Sequence, residues 1–480
     1  MPEKLFDLKV EKTPHLRGAL EAPASKSYTI RAILAASLNG KIRIVNPLFS
    51  QDTQAAIKAL VALGARIRKK EGSLQIRGFQ GRPSLRVKSV HPALSYPGQS
   101  PCGGKGGVNV GESGTLLRLI LPIIALGEGE FEINGRGTLL KRPNKPIVEA
   151  LLSLGVDIKG KGRDFRLPIV IQGKGAILGG KVSVSAAMSS QTISSLLMVS
   201  AFASRDTTII IKDKVVSKPY IDITLDVLAM AGIKVKRQGY SRFFIKSGQS
   251  FKLKEDFVIH GDYSSAAFLI AASCLVKSDV VITDMLKDKQ GDRRIIDILN
   301  KMGARIKHSG DRIEIHGPFE LRGMDIDCSD MPDLVPVLLT MSCFARGRTK
   351  IYNIGHLAYK ESNRVTAPAG ELRKLGARIE IGRDRIIVHE SYLKPEAAWA
   401  MAAAIGSRTI APWLIGSSTT ALRPAVVSSC DDHRIAMALA VLGLRTGGLT
   451  IKNAECINKS YPDFIRDFKA LGAKFTKILP

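Results

Sequence analysis

Apolar and polar positions along this chain change period on a repeating beat. Six times a stretch with apolar residues at helical spacing ends in an apolar residue, Gly and another apolar residue, then gives way to alternation. The copies read ALVALGARIR, LLSLGVDIK, VLAMAGIKVK, ILNKMGARIK, ELRKLGARIE and DFKALGAKFT. In ELRKLGARIE, Leu372 and Leu375 lie three apart with Arg373 and Lys374 between them, which suits a helix with one buried face. Beyond Gly376, Ala377 and Ile379 alternate with Arg378 and Glu380, the period of a half-exposed strand. The shared glycines are Gly64, Gly155, Gly232, Gly303, Gly376 and Gly472. Each falls where a helix ends on a left-handed residue, a conformation Gly adopts without a Cβ penalty. Successive glycines stand 71 to 96 residues apart, so they mark a repeat.

A second element keeps the same beat. SKSYTIRAILAAS, ESGTLLRLILPIIAL, SSQTISSLLMVSAF, GDYSSAAFLIAASCL, DMPDLVPVLLTMSCF and DDHRIAMALAVLGL each begin with small polar residues suited to helix caps. Their bodies are apolar on all sides, which predicts buried helices. The predicted unit is strand, buried helix, strand, amphipathic helix, strands, six times over. Three units per lobe would bury three apolar helices in one core.

Composition narrows the reading. A chain of 480 residues holds more than one domain, and its 45% apolar content is ordinary for a soluble protein. The most apolar run, Leu119 to Leu126, is too short to span a membrane and abuts Arg118. The start, MPEKLFDLKVEKT, has no signal-peptide core, so the expectation is a cytoplasmic protein without a membrane role. The cysteines (Cys102, Cys274, Cys328, Cys343, Cys430, Cys456) form no CxxC pair and read as reduced thiols. Net charge +28 points to an anionic partner. The charge is spread out, and the 6% aromatic content offers little for base stacking. An acidic small molecule is favoured over any specific nucleic acid. Two stretches, about 89–107 and 393–422, break the beat and read as surface insertions.

The chemistry collects at helix starts. Ser25, Lys26 and Ser27 open the first buried helix, which carries Arg31; Ser113, Gly114 and Thr115 open the second, which carries Arg118. An amphipathic helix is expected to begin at Lys141–Arg142–Pro143, with Pro143 in its first turn. Further starts hold Ser189, Ser190 and Gln191; Ser217, Lys218 and Pro219; Asp330–Asp333; Lys360, Glu361 and Arg364; Asp431–Arg434; and Lys459. Exposed N–H groups and the positive dipole end make a helix start an anion site, where a cation is intrinsically disfavoured. Lys26, Arg142, Lys360, Arg434 and Lys459 stand near starts regardless, which suits a ligand with several phosphates or carboxylates.

At these residues the sequence strongly resembles the 5-enolpyruvylshikimate-3-phosphate (EPSP) synthase family. PASKSYTIRA, VGESGTLLRL, LLKRP, SAAMSSQTISSLL, SKPYIDIT, GDYSSAAF, YKESNR, DDHRIAMALA and NKSYPDF are similar to its motifs, in order, over nearly the whole chain outside the two insertions. The resemblance implies an α/β fold, a two-lobed inside-out α/β barrel of six βαβαββ repeats, three per lobe. Residues 1–20 plus 260–480 would form one lobe and 21–259 the other, and the lobes would close on substrate. The implied reaction moves the enolpyruvyl group of phosphoenolpyruvate to the 5-hydroxyl of shikimate-3-phosphate. No metal or organic cofactor is implied, and the family's usual state implies a monomer.

The resemblance also implies roles. Lys26, Ser27, Arg31, Ser189, Ser190, Gln191, Ser217, Tyr220, Asp333 and Lys360 would hold shikimate-3-phosphate. Lys26, Gly114, Thr115, Arg142, Gln191, Arg364, Arg434 and Lys459 would hold phosphoenolpyruvate. Asp333 would be the base at the 5-hydroxyl, Glu361 the proton shuttle at C3, and Lys26 a catalytic cation. Other readings stay open. Asp333, Asp431 and Asp432 also suit helix caps, as do Asp262 and Ser264; Glu361 and Arg364 suit an exposed helical ion pair; His433 suits a structural role. Two positions depart from the family pattern, which often has Asn at both: Glu112 and His356. A carboxylate at 112 is unfavourable beside a bound anion unless it meets a cation. Cys102 superficially suggests the sister transferase acting on UDP-N-acetylglucosamine, and His433 the RNA 3′-terminal phosphate cyclases.

Overall fold

The computed structural model describes residues 5–79, 106–252, 256–391, 393 and 425–479. Cys102 and nearly all of both insertions lie outside the described residues. Two compact units emerge. A central unit comprises Ala24–His260 with Lys289–Gly291, and a terminal unit comprises Met1–Pro23, Gly261–Asp288 and Asp292–Pro480. Each has its own apolar core.

In the central unit, helices α1 (Lys26–Ser37), α3 (Gly114–Ile124) and α5 (Gln191–Val199) are the buried ones. Helices α2 (Gln51–Ala62), α4 (Lys145–Ser153) and α6 (Pro219–Met230) alternate with them and leave one face to solvent. The terminal unit repeats the arrangement. Helices α7 (Tyr263–Leu275), α9 (Val335–Cys343) and α11 (His433–Thr446) are buried, while α8 (Arg294–Lys301), α10 (Thr366–Lys374) and α12 (Phe464–Ala470) are amphipathic. All thirteen residues of α7 are buried, as its uniformly apolar or small sequence requires. None of the described helices is long and apolar enough to cross a membrane.

Among the described residues there are six four-stranded sheets, three in each unit, and each pairs one parallel and two antiparallel neighbours. The sheet of Gly106–Asn109, Glu128–Asn134, Arg166–Lys174 and Asp157–Lys161 shows the plain form: first strand parallel to second, then two antiparallel pairings. Three sheets borrow a strand from far along the chain. Leu16–Glu21 lies parallel to Ser278–Thr283 in the terminal unit, and Phe257–Val258 lies parallel to Lys41–Val45 in the central one. In both cases the chain passes to the other unit between a repeat's first strand and its buried helix. The backbone is fixed at these crossings: Ser25 N–H donates to the His260 carbonyl at 2.9 Å, and Asp262 N–H to the Pro23 carbonyl at 2.8 Å. The last repeat is closed by Asp7–Val10, which pairs with Leu449–Lys452 on one side and Phe475–Ile478 on the other.

The six repeat glycines all have positive φ, between 76° and 114°, so each terminates its amphipathic helix as the sequence suggests. One expectation fails. The helix expected at Lys141–Pro143 begins at Lys145, after a 3₁₀ turn over Gly137–Lys141. Arg142 precedes a proline and is therefore extended, with φ −80° and ψ 135°; Pro146, not Pro143, takes the first-turn position.

Two glycines separate the cost of conformation from the cost of crowding. At Gly232 (φ 76°) an added Cβ meets nothing, whereas at Gly303 (φ 114°) it would lie 2.8 Å from the Glu320 carbonyl oxygen. Gly232→Ala should lose about 1–2 kcal/mol, the left-handed penalty alone. Gly303→Ala should lose clearly more. Urea unfolding of the two variants against wild type checks the order.

Candidate active site

In the central unit one run of contacts joins the helix starts. Ser25 caps α1 by accepting from the Tyr28 N–H. Lys26 sits in the first turn, where the dipole opposes a cation, and is held by Asp52 in the first turn of α2: Nζ to Oδ2 is 3.1 Å, both side chains nearly buried. Arg31 is 1% exposed. Its Nε donates to Thr224 Oγ1 (2.7 Å), Nη1 to the Ser27 carbonyl (3.1 Å) and Nη2 to the Tyr220 carbonyl (3.2 Å). Burial pulls this guanidinium down to about 10 against the opposing effect of Tyr220 and Tyr28. Its fork fixes Ser27 and Tyr220, which carry two of the implied substrate contacts. Ser217, just ahead of α6, is buried with φ 58°.

Gln191 opens α5 and is gripped at both ends of its amide: Arg118 Nη1 donates to Oε1 at 2.8 Å, and Nε2 donates to Thr115 Oγ1 at 3.0 Å. Ser189 Oγ accepts the Gln191 N–H, and Ser190 is buried at the N-cap. Arg118 also donates to the Pro143 carbonyl at 3.1 Å, which steadies the segment carrying Arg142. The Arg142 guanidinium lies directly on Gly114, where a Cβ would stand 2.5 Å from Nη1, so any larger residue would push the guanidinium aside. Ser194 Oγ donates to the Tyr220 carbonyl at 3.3 Å, linking α5 to α6. The Glu112 carboxylate rests over Gly137, with Arg136 Nε at 4.0 Å, so it has a cation beside it.

The terminal unit centres on Arg364, which is 1% exposed and lies in a turn before α10, not in an exposed helical pair. Its Nη1 donates to Asp333 Oδ1 (2.6 Å), Nη2 to Glu361 Oε2 (2.7 Å), and Nε to Asp432 Oδ2 (2.7 Å), with a second bond from Nη2 to Asp432 Oδ1 (3.1 Å). Burial would lower this arginine, but Asp432, Glu361 and Asp333 together raise it well above the usual value. Asp432 also caps α11 by accepting the Arg434 N–H at 2.9 Å. Arg434 is likewise 1% exposed; Nη1 donates to the Ser264 carbonyl at 2.7 Å, and Nη2 reaches Asp333 Oδ2 at 3.4 Å. Burial opposes its charge, and Asp333 followed by Asp262 restores and raises it. The starts of α7, α9 and α11 therefore converge on Asp333.

Cys430 and Asp431 both have positive φ, a backbone cost that turns the Asp431 carbonyl toward Lys459 Nζ at 3.0 Å. Lys360 lies in the bend beside Glu361, and His356 is buried in the preceding 3₁₀ turn. His433 is buried at the first position of α11, its Nδ1 3.9 Å from Asp432. Chemically, the terminal unit gathers three carboxylates on one guanidinium, with Asp333 and Glu361 partly open to solvent and Asp432 fully buried. The central unit offers amide, hydroxyl and cationic groups at helix starts, suited to holding anions.

Sequence reasoning did not assign roles to Asp52, Arg118 or Asp432 as partners, nor notice Asp292. The available signal was a lone Arg inside an otherwise apolar helix, as at Arg118; for the acids there was none, since their partners lie tens of residues away.

A family model described as EPSP synthase (3-phosphoshikimate 1-carboxyvinyltransferase) matches residues 10–468. The chain is 34% identical over 481 aligned positions to the 3-phosphoshikimate 1-carboxyvinyltransferase of Methanococcus maripaludis, covering 98% of this chain and 100% of that one. It is 35% identical to the same enzyme of Methanocaldococcus jannaschii, covering 98% and 99%. Among solved structures, EPSP synthase from Acinetobacter baumannii superposes with TM-score 0.73 at 23% identity, covering 99% of this chain and 100% of that one. The enolpyruvyl transferase NikO from Streptomyces tendae gives 0.71 at 16% identity, with full coverage of both. The fold is that of these proteins, the two-lobed inside-out α/β barrel built from six repeats.

The Arg364 cluster yields a stability prediction. Arg364→Met leaves three carboxylates facing one another without their cation and should cost about 3–5 kcal/mol. Arg364→Lys keeps the charge but cannot fork to three acids, and should cost less. Chemical denaturation of the two variants checks the ranking.

Proposed function

The chain belongs to the EPSP synthase (3-phosphoshikimate 1-carboxyvinyltransferase) family, and we propose that it carries out the family's reaction. The enolpyruvyl group of phosphoenolpyruvate passes to the 5-hydroxyl of shikimate-3-phosphate, and phosphate is released. The observation that carries the reading is the placement of Asp333 and Glu361 on the two ends of the Arg364 fork, 2.6 and 2.7 Å away.

The chemistry needs an acid and a base. Glu361 gives a proton to C3 of phosphoenolpyruvate, an enol phosphate, which leaves C2 electrophilic. Asp333 takes the 5-hydroxyl proton as that oxygen bonds to C2, giving a tetrahedral ketal. A methyl proton then returns to Glu361, the C2–C3 double bond reforms, and the C2–O bond to phosphate breaks, the departing phosphate taking the proton held by Asp333. Lys26, Arg142, Arg364, Arg434 and Lys459 balance the carboxylate and phosphate of the donor, assisted by Gly114, Thr115 and Gln191. Donors fixed before reaction stabilise developing charge without reorganisation. Ser27, Arg31, Ser189, Ser190, Gln191, Ser217, Tyr220, Lys26 and Lys360 hold the acceptor, and Arg31 does so by fixing Ser27 and Tyr220. The rigid packing of Gln191 between Arg118 and Thr115 supports its role as a fixed polar contact rather than a mobile one.

Purified protein should release phosphate from phosphoenolpyruvate only when shikimate-3-phosphate is present. Turnover with UDP-N-acetylglucosamine instead, or labelling of a histidine by ATP, would replace this reading with one of its rivals. Asp333→Asn should lower kcat by about 100- to 10,000-fold, the usual range for a lost general base, while substrate binding measured by calorimetry persists.

A further inference from the structure

We propose that Asp292 is a positioning residue for this reaction, tethering Arg434 and Asp333 through Ser264 and tuning by its own charge how strongly Arg434 holds the anionic enolpyruvyl donor. The inference rests on the function proposed above and adds a residue that neither the motifs nor the assigned roles include.

Asp292 follows Gly291 in the stretch KQGDRR and is 2% exposed. Its Oδ2 accepts the hydroxyl of Ser264. The peptide carbonyl of that same serine accepts Nη1 of Arg434 at 2.7 Å, and Nη2 of Arg434 reaches Asp333 at 3.4 Å. One serine thus couples Asp292 to the arginine that faces the base, all inside the terminal unit. Arg434 is buried, with Phe268 under its guanidinium at 5.9 Å, so it has little freedom to answer a change in charge by moving away.

Asp292 is costly to ionise. Its Oδ1 is buried with no hydrogen-bond partner among the described residues. Charged and titratable groups face it from each neighbouring segment: Asp333 ahead of α9, Asp262 ahead of α7, Arg434 in α11, and the buried thiol of Cys328, which in turn feels Asp292. Burial first, then the charge of Asp333, pushes Asp292 up to about 7, while the Ser264 hydroxyl and Arg434 pull it down. Two acids so close share charge unequally. Below neutrality Asp292 holds its proton, and the positive charge of Arg434 is left for Asp333 and the donor anion. Above it, a second negative charge beside Arg434 cancels part of that attraction.

The test is steady-state kinetics across roughly pH 5 to 9, reading KM for phosphoenolpyruvate and kcat separately. In wild type, KM should rise about tenfold as pH passes through neutrality, with a smaller change in kcat. Asp292→Asn, which keeps an acceptor for Ser264 but cannot ionise, should show a flat KM. Ser264→Ala removes a hydroxyl that favours the ionised form, so its KM rise should move to higher pH; this variant also serves if Asp292→Asn does not fold. A KM rise that persists in Asp292→Asn, or a uniform loss of activity with unchanged pH dependence, would overturn the proposal. Infrared difference spectra should show a buried protonated carboxyl that titrates near neutrality in wild type and vanishes in Asp292→Asn. That band in a protein with no enolpyruvyl transfer would refute the function while leaving the protonation intact; turnover without the band would refute the inference alone.

Discussion

One buried guanidinium organises the terminal unit. Arg364 has almost no access to water, so its charge is offset by the three carboxylates around it; the fully buried Asp432 depends on it in turn, while Asp333 also meets Arg434. The interaction is therefore a constraint as well as an attraction. It fixes Asp333, Glu361 and Asp432, which come from three different segments, into one arrangement. Arginine alone among side chains presents a planar fork able to meet three acids at once. Asp432 also caps α11, which sets the first turn from which Arg434 projects toward Asp333. Two carboxylates, Asp333 and Glu361, held on one cation have a fixed separation before any ligand arrives.

The repeat makes this possible. Each copy buries one apolar helix and leaves its first turn polar, and packing three such helices in one unit brings their starts within hydrogen-bond reach. In the terminal unit Ser264, Asp333 and Arg434 meet in this way. In the central unit the same logic runs through Thr115, Gln191, Ser194, Tyr220, Arg31 and Ser27. Cations that would weaken a helix start in isolation are kept there by neighbours: Asp52 beside Lys26, and the carbonyl of Asp431 beside Lys459. The strained backbone at Cys430 and Asp431 is the local cost of aiming that carbonyl.

Local signals were the legible ones. The six glycines announced their helix ends because positive φ is a demand a single residue type meets cheaply, and the buried helices announced themselves by uniform apolarity. Arg142 shows the limit. The sequence put the helix start at Pro143, but Asn144 takes a non-helical conformation (φ −125°, ψ 11°) and caps a helix that begins only at Lys145. Partnerships across the chain were not legible at all. Asp52 and Lys26, Arg118 and Gln191, Asp432 and Arg364 find each other only after the repeats have packed, and nothing in the spacing of an isolated Asp says which Arg it will meet. Asp292 was invisible for the same reason: its neighbours Ser264, Arg434 and Asp333 all lie in other segments. Glu112, a departure from the family pattern, was legible as a problem but not in its resolution, which is the proximity of Arg136.

Running the reaction in deuterium oxide tests most directly whether an acid and a base on one guanidinium act together. The product's enolpyruvyl methylene is read by NMR. Protonation at C3 creates a transient methyl group, and loss of one of its three hydrogens must leave solvent deuterium in part of the product. The account predicts deuterium at C3 whenever both substrates are present, and loss of both exchange and turnover in Glu361→Gln. A product free of deuterium, formed with stoichiometric release of phosphate, would contradict it.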